Sequence, residues 1–122
     1  MQEESPLHYR HTELVKRLTK SGVEINSTLI PHKANIWHLS SALMCETGEL
    51  FDPLKKWIIY NKELDMENIK EELGDIEFYL EGLRRAFGIT REETLEQNIE
   101  KLTRRYGNDY SDKAAQERKD KE

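Results

Sequence analysis

Residues 69–83 read IKEELGDIEFYLEGL, and their spacing decides how the rest of the chain is read. Each residue of a helix advances about 100° around the axis, which places Ile69, Leu73, Ile76, Leu80 and Leu83 in one sector roughly 80° wide. Glu72 falls at the edge of that apolar sector, and Asp75 flanks it about 60° further round. Glu71, Glu77 and Glu81 point away, where solvent-face acids belong. Tyr79 shares the inward sector with Glu72. Asp65 has the chemistry of an N-cap for a helix over 66–87, and Gly88 follows its end. One helix therefore carries two kinds of acid, and only two of them turn toward a core.

Working upstream, a helix is expected over 33–51, with Ile36, Leu39, Leu43 and Leu50 on one side and Trp37, Met44 and Phe51 on another. A helix apolar nearly all round is buried, or is shared between subunits. Within it, ETGEL (46–50) repeats the offset: Glu46 shares a sector with Leu39, Ala42, Leu43 and Leu50, and Glu49 flanks it beside Ala42. Asp52-Pro53 is expected to end that helix, because the residue before proline is pushed out of the helical region. A short helix then covers 54–61. Downstream, Thr90 with Glu93 has the form of a capping box opening a helix to Tyr106, which Gly107 stops. At the start, 7–21 reads as a helix with Leu7, Leu14 and Leu18 as its ridge, and 23–31 as a loop. The closing SDKAAQERKDKE has almost nothing to bury and is expected to be a mobile charged tail. The expected architecture is all-α: a four-to-five-helix bundle, one domain over 1–110, a tail over 111–122, with oligomerisation completing the bundle.

Composition supports this. A chain of 122 residues with 36% hydrophobic and 35% charged content suits helices with solvated outer faces, and 6 Gly with 3 Pro is few for a β-rich domain. The net charge of -5 argues against a nucleic-acid partner, since phosphate-backbone binding relies on clustered cations. Cys45, the one cysteine, reads as a small core residue of a reducing compartment, not a nucleophile. The first residues lack a signal-peptide pattern and no run approaches the length of a membrane span, so a cytoplasmic protein without membrane partners is the expectation.

The two carboxylate pairs carry the chemistry. Two like charges about 4 Å apart cost roughly 4 kcal/mol at an effective dielectric near 20. An ionised carboxylate facing a core needs a partner. A divalent cation reverses the sign of that repulsion, and an all-oxygen ligand set favours Mg²⁺ or Mn²⁺ over Zn²⁺. Acids three apart are also common on solvated faces, as Glu93 and Glu96 illustrate. A di-iron carboxylate bundle wants Glu-x-x-His from two helices, and no Glu here has His three residues on. A purely structural helical oligomer would leave the inward acids unexplained.

ETGEL followed by EELGD resembles the paired Glu-x-x-Glu and Glu-x-x-Asp motifs of the MazG-like, all-α nucleoside triphosphate pyrophosphohydrolases. NIEKLTRRYG (98–107) is similar to that family's Asn-x-x-Lys segment, and the likeness covers about residues 34–110. The resemblance implies that Glu46, Glu49, Glu72 and Asp75 hold Mg²⁺. It implies hydrolysis of a (deoxy)nucleoside triphosphate to the monophosphate and pyrophosphate, by a homodimer or homotetramer with the site near subunit contacts. A free-standing domain of this size suits nucleotide-pool cleansing. Glu49 is the candidate general base. Asn98, Lys101 and Arg105, a stripe beside the ridge of Leu95, Ile99, Leu102 and Tyr106, are candidate phosphate contacts, as are Lys55 and Lys56. His38, Trp37 and Tyr79, with Trp57 behind them, are candidates for a base pocket. The alternative reading is a non-catalytic helical module that binds metal or nucleotide and regulates a partner.

Overall fold

The computed structural model describes residues 5–118. Every regular element among the described residues is a helix, with no strand. The chain divides into two compact units, the first ending at Ala34 and the second beginning at Asn35.

The first unit opens with α1, Pro6–Leu18. The Ser5 hydroxyl accepts from the His8 amide, and Pro6 supplies a preset φ at the first helical position. α1 ends three residues before the expected stop. Where a loop was expected, α2 spans Gly22–Thr28. Its cause is local: Ser21 accepts from the Glu24 amide at 3.1 Å, the Ser-x-x-Glu pattern of a helix start.

α3 runs Pro31–Ile58 without a break, so the expected stop at Asp52-Pro53 does not occur and residues 54–58 are its last turns. Pro53 sits inside the helix, and among the described residues it is the one that is buried. Proline removes a single backbone donor, the amide that would bond the Glu49 carbonyl, and its φ is already helical. Burial of the ring on the inner face outweighs that loss. Asn61, at φ 53°, turns the chain out of α3.

α4 spans Met66–Phe87 and follows the sequence closely. Asp65 accepts from the Asn68 amide at 3.1 Å. Gly88, at φ 69°, closes the helix, and the Ile89 amide reaches back to the Arg84 carbonyl at 2.8 Å. α5, Arg91–Tyr106, begins on Thr90, whose hydroxyl accepts from the Glu93 amide at 3.1 Å. Gly107, at φ 65°, ends it.

Residues 112–117, expected to belong to a mobile tail, form α6, Asp112–Glu117, capped by the Ser111 hydroxyl. α6 packs back on α5, with the Tyr106 and Tyr110 rings 5.3 Å apart and Tyr110 donating to Asp112 at 2.7 Å. Ala114 and Ala115 supply helix propensity that the charge pattern hides. Residues 1–4 of the expected domain and 119–122 of the expected tail lie outside the described residues.

α3 and α4 meet through one close contact. A Cβ built on Gly82 would stand 3.1 Å from Leu39 Cδ2, so the glycine lets Leu39 settle onto the α4 backbone. The outer face of α3 has no such cover. Trp37, Met44 and Phe51 are exposed, and so is Cys45, which corrects its reading as a core residue. Helical periodicity identified an apolar face there, but this chain alone does not bury it. Among the described residues no helix is long and apolar enough to cross a membrane.

Candidate metal centre

From the Leu39–Gly82 contact, seven residues along α3 lead to Glu46, and seven back along α4 lead to Asp75. Two antiparallel helices that touch at one level touch again a heptad away, because seven residues are close to two full turns. Glu72 lies one turn before Asp75 on the same side of α4. The sequence therefore brings three acids to one level of the helix pair.

One carboxylate oxygen from each of Glu46, Glu72 and Asp75 lies within 4.8 Å of the other two. Glu46 and Glu72 are half-buried and Asp75 is exposed. Oε2 of Glu46 and Oε2 of Glu72 are both out of contact with solvent and have no hydrogen-bond partner. Buried polar atoms are ordinarily satisfied, so two orphaned carboxylate oxygens in one acidic cluster call for a proton or a cation. In the metal-free chain the proton answers: the Glu46 carboxyl is pushed up from its ordinary 4.5 to about 7. Burial is the largest cause, followed by the hydrogen bond with Glu72, the charges of Glu49 and Asp75, and a hydrogen bond with Glu49. The donor set fits a hard divalent cation, all carboxylate oxygen with a solvent-open side at Asp75.

Glu49 lies beside Glu46, close enough to act on it by charge and hydrogen bond, but is exposed and outside the group of three. His38 is exposed on α3. Trp37 is exposed and lies about 180° around α3 from Glu46. Tyr79 is half-buried on α4, edge-on to Phe78 at 5.1 Å. On α5, Asn98 is exposed, Lys101 is half-buried, and the Arg105 guanidinium stands 5.8 Å from the centre of the Tyr106 ring. Near the end of α3, Lys55 lies 5.7 Å over the Tyr60 ring, and Lys56 pairs with Asp52 at 2.8 Å. That carboxylate, through hydrogen bond and charge, raises the Lys56 ammonium above its ordinary value. Trp57 is exposed in the same stretch.

Helical periodicity did not point to a cleft of about 940 Å³ along α4, lined in part by Leu39, Gly74, Phe78, Gly82, Arg85 and Arg91. Its signal was the spacing of four between Gly74, Phe78 and Gly82. Those positions put an aromatic ring between two residues without side chains on one face of α4.

Comparison with protein-family models matches residues 36–108 to the MazG nucleotide pyrophosphohydrolase domain. Comparison with curated proteins returns no match, and comparison with solved structures returns none. The family match begins just after the boundary between the two compact units and ends just past α5, so α1, α2 and α6 lie outside it. It covers more than half of the chain and contains every acid of the cluster on the helix pair that positions them. The chain belongs to the MazG nucleotide pyrophosphohydrolase family.

Proposed function

We propose that this chain is a Mg²⁺-dependent hydrolase that cleaves a nucleoside or deoxynucleoside triphosphate between its α and β phosphates, releasing the monophosphate and pyrophosphate. The observation that carries the reading is the pair of orphaned oxygens on Glu46 and Glu72, grouped with Asp75 inside the matched family domain. Glu46, Glu72 and Asp75 hold the metal, with Mn²⁺ as the other ion of suitable chemistry, and Glu49 completes the acidic set. Bound there, the ion offsets charge at phosphorus and lowers the pKa of a water molecule.

Glu49 is the general base: exposed beside Glu46, its carboxylate takes the proton of the attacking water. Asn98 and Lys101 bind phosphate oxygens, with Lys55 and Arg105 contributing charge. His38 and Tyr79 border the base, with Trp37 reaching a base only from a neighbouring copy. The working form is a homo-oligomer, and the role is cleansing of the cytoplasmic nucleotide pool. The support for oligomerisation is physical: a chain this size that buries only the Pro53 ring among its described residues lacks the burial that offsets conformational entropy.

The test is a product assay over a panel of ribo- and deoxynucleoside triphosphates with Mg²⁺, resolving monophosphate plus pyrophosphate from diphosphate plus phosphate. Monophosphate and pyrophosphate, absent in Glu72→Gln, support the proposal, and the rank order across the panel supplies the base. Diphosphate as product overturns it. Lack of turnover beside a Mg²⁺-dependent rise in melting temperature points instead to a non-catalytic metal- or nucleotide-binding module.

A further inference from the structure

α3 gives up one hydrogen bond of its ladder, and it does so beside the acids. Each carbonyl of a helix points along the axis at the nitrogen four residues on. The Glu49 carbonyl is therefore aimed at the nitrogen of Pro53, which carries no hydrogen, inside a helix that continues to Ile58. The proline ring also crowds that carbonyl and tilts it off the axis. Thr47 donates to the Met44 carbonyl at 2.7 Å. Among the described residues no side chain does the same for the Glu49 carbonyl. Pro53 follows Glu46 by seven residues, close to two full turns, so it stands about 20° from Glu46 around α3. The unpaired carbonyl thus opens on the acid side of the helix, between the level of Glu46 and the buried ring. The same residue carries the exposed carboxylate that lies beside Glu46. Proline is the least favourable residue for a helix interior, and alanine at this position would keep the bond.

We propose that Pro53 is a positioning residue: by leaving the Glu49 carbonyl without an amide, it supplies a second acceptor for the attacking water. A water molecule has two hydrogens to place. The Glu49 carboxylate takes one as a proton, and the Glu49 carbonyl accepts a hydrogen bond from the other. With both hydrogens held, a lone pair is turned toward phosphorus. As the water oxygen bonds to phosphorus, the bridging P–O bond to that atom breaks, and the leaving group keeps the electron pair. The carbonyl neither gains nor loses a proton. It removes the freedom of the water to turn away, which is an entropic contribution. One neutral hydrogen bond that matters only on the way to the transition state is worth about tenfold in rate. The inference rests on the reading of Glu49 as general base and adds a main-chain partner to it.

The test compares three full-length chains: the unmodified protein, Pro53→Ala, and Pro53→N-methylalanine built by ligation at Cys45. Alanine removes the ring and returns the N–H. N-methylalanine removes the ring but, like proline, has no hydrogen to donate. If Pro53 serves only by packing, the two variants fall together; if it serves by freeing the carbonyl, they separate. In Pro53→Ala kcat is expected to fall about tenfold with KM changed less than about twofold, whereas Pro53→N-methylalanine keeps kcat within about twofold of the unmodified protein. Equal kcat in the two variants overturns the proposal while leaving the reaction standing. An unmodified chain that releases no monophosphate and pyrophosphate overturns both. Two readouts need no turnover. In folded Pro53→Ala the new amide is expected to exchange its hydrogen at least about tenfold more slowly than in an unstructured peptide, because the Glu49 carbonyl captures it; exchange at the unstructured rate overturns the proposal. The Mg²⁺-dependent rise in melting temperature is expected to be the same in all three chains, and its loss in Pro53→Ala alone would make the carbonyl a metal ligand and overturn its role toward water.

Discussion

At the scale of single residues, the chemistry turns on who occupies the space between Glu46 and Glu72. Without metal, the folded chain keeps a proton on Glu46 up to about pH 7, whereas an ordinary carboxyl releases it near 4.5. Between those values the folded state binds more protons than the unfolded one, so stability falls as pH rises and levels off above 7. Thermal melts in chelator from pH 4.5 to 8 are expected to show that decline, and Glu46→Gln is expected to flatten it, since glutamine does not titrate. Mg²⁺ competes with the same proton, so its stabilising shift is expected to be small at pH 5 and largest above 7. In Glu46→Gln or Glu72→Gln the shift is expected to vanish. A melting temperature that rises normally with Mg²⁺ in both variants would remove these residues from the metal site.

At the scale of elements, Pro53 lies inside α3 and Gly82 brings α4 against Leu39 of α3. Pro53→Ala restores the amide that the Glu49 carbonyl lacks but removes the buried ring, and denaturant unfolding is expected to show a net loss of about 1 kcal/mol. Gly82→Val places a branched side chain where Leu39 Cδ2 stands 3.1 Å from a bare Cβ position. It is expected to cost about 1–3 kcal/mol and to weaken the Mg²⁺ response by spreading the helices that carry the acids. These two elements also show what the sequence could and could not say. The caps at Asp65, Thr90, Gly88 and Gly107 were legible because capping is chemistry between near neighbours. Glu46, Glu72 and Asp75 were legible because helical phase alone separates inward from outward acids. The Ser21-to-Glu24 start of α2 carried the same local signal and was passed over, its apolar content being too slight to show a helical period. Pro53 was misread because a rule about local backbone preference has no term for burial of the ring. What lies opposite Asn98, Lys101 or His38 depends on distances across helices, which spacing along one helix does not encode.

At the scale of the whole molecule, the apolar faces outnumber the contacts that cover them. The outer face of α3 is exposed, and Phe78 on α4 and the Leu95–Ile99 ridge of α5 are exposed with it. Stability borrowed from association depends on concentration. The melting temperature is expected to rise by several degrees between 1 and 100 µM chain, a range over which a self-sufficient monomer would not move. Scanning calorimetry or fluorescence at those concentrations reads it directly.

The bare outer face of α3 has a further consequence in time. Under the proposed homo-oligomer, a newly made chain would reach its lasting form only by meeting another, so its maturation would be second order: doubling the free chain would quadruple the rate of productive encounters. At low abundance a waiting chain would show the exposed Trp37, Met44 and Phe51 to chaperones and proteases and would be removed before pairing. Output would then climb more steeply than gene dosage, and the helix that carries Glu46 on one side would act on the other as a threshold for the protein's own accumulation.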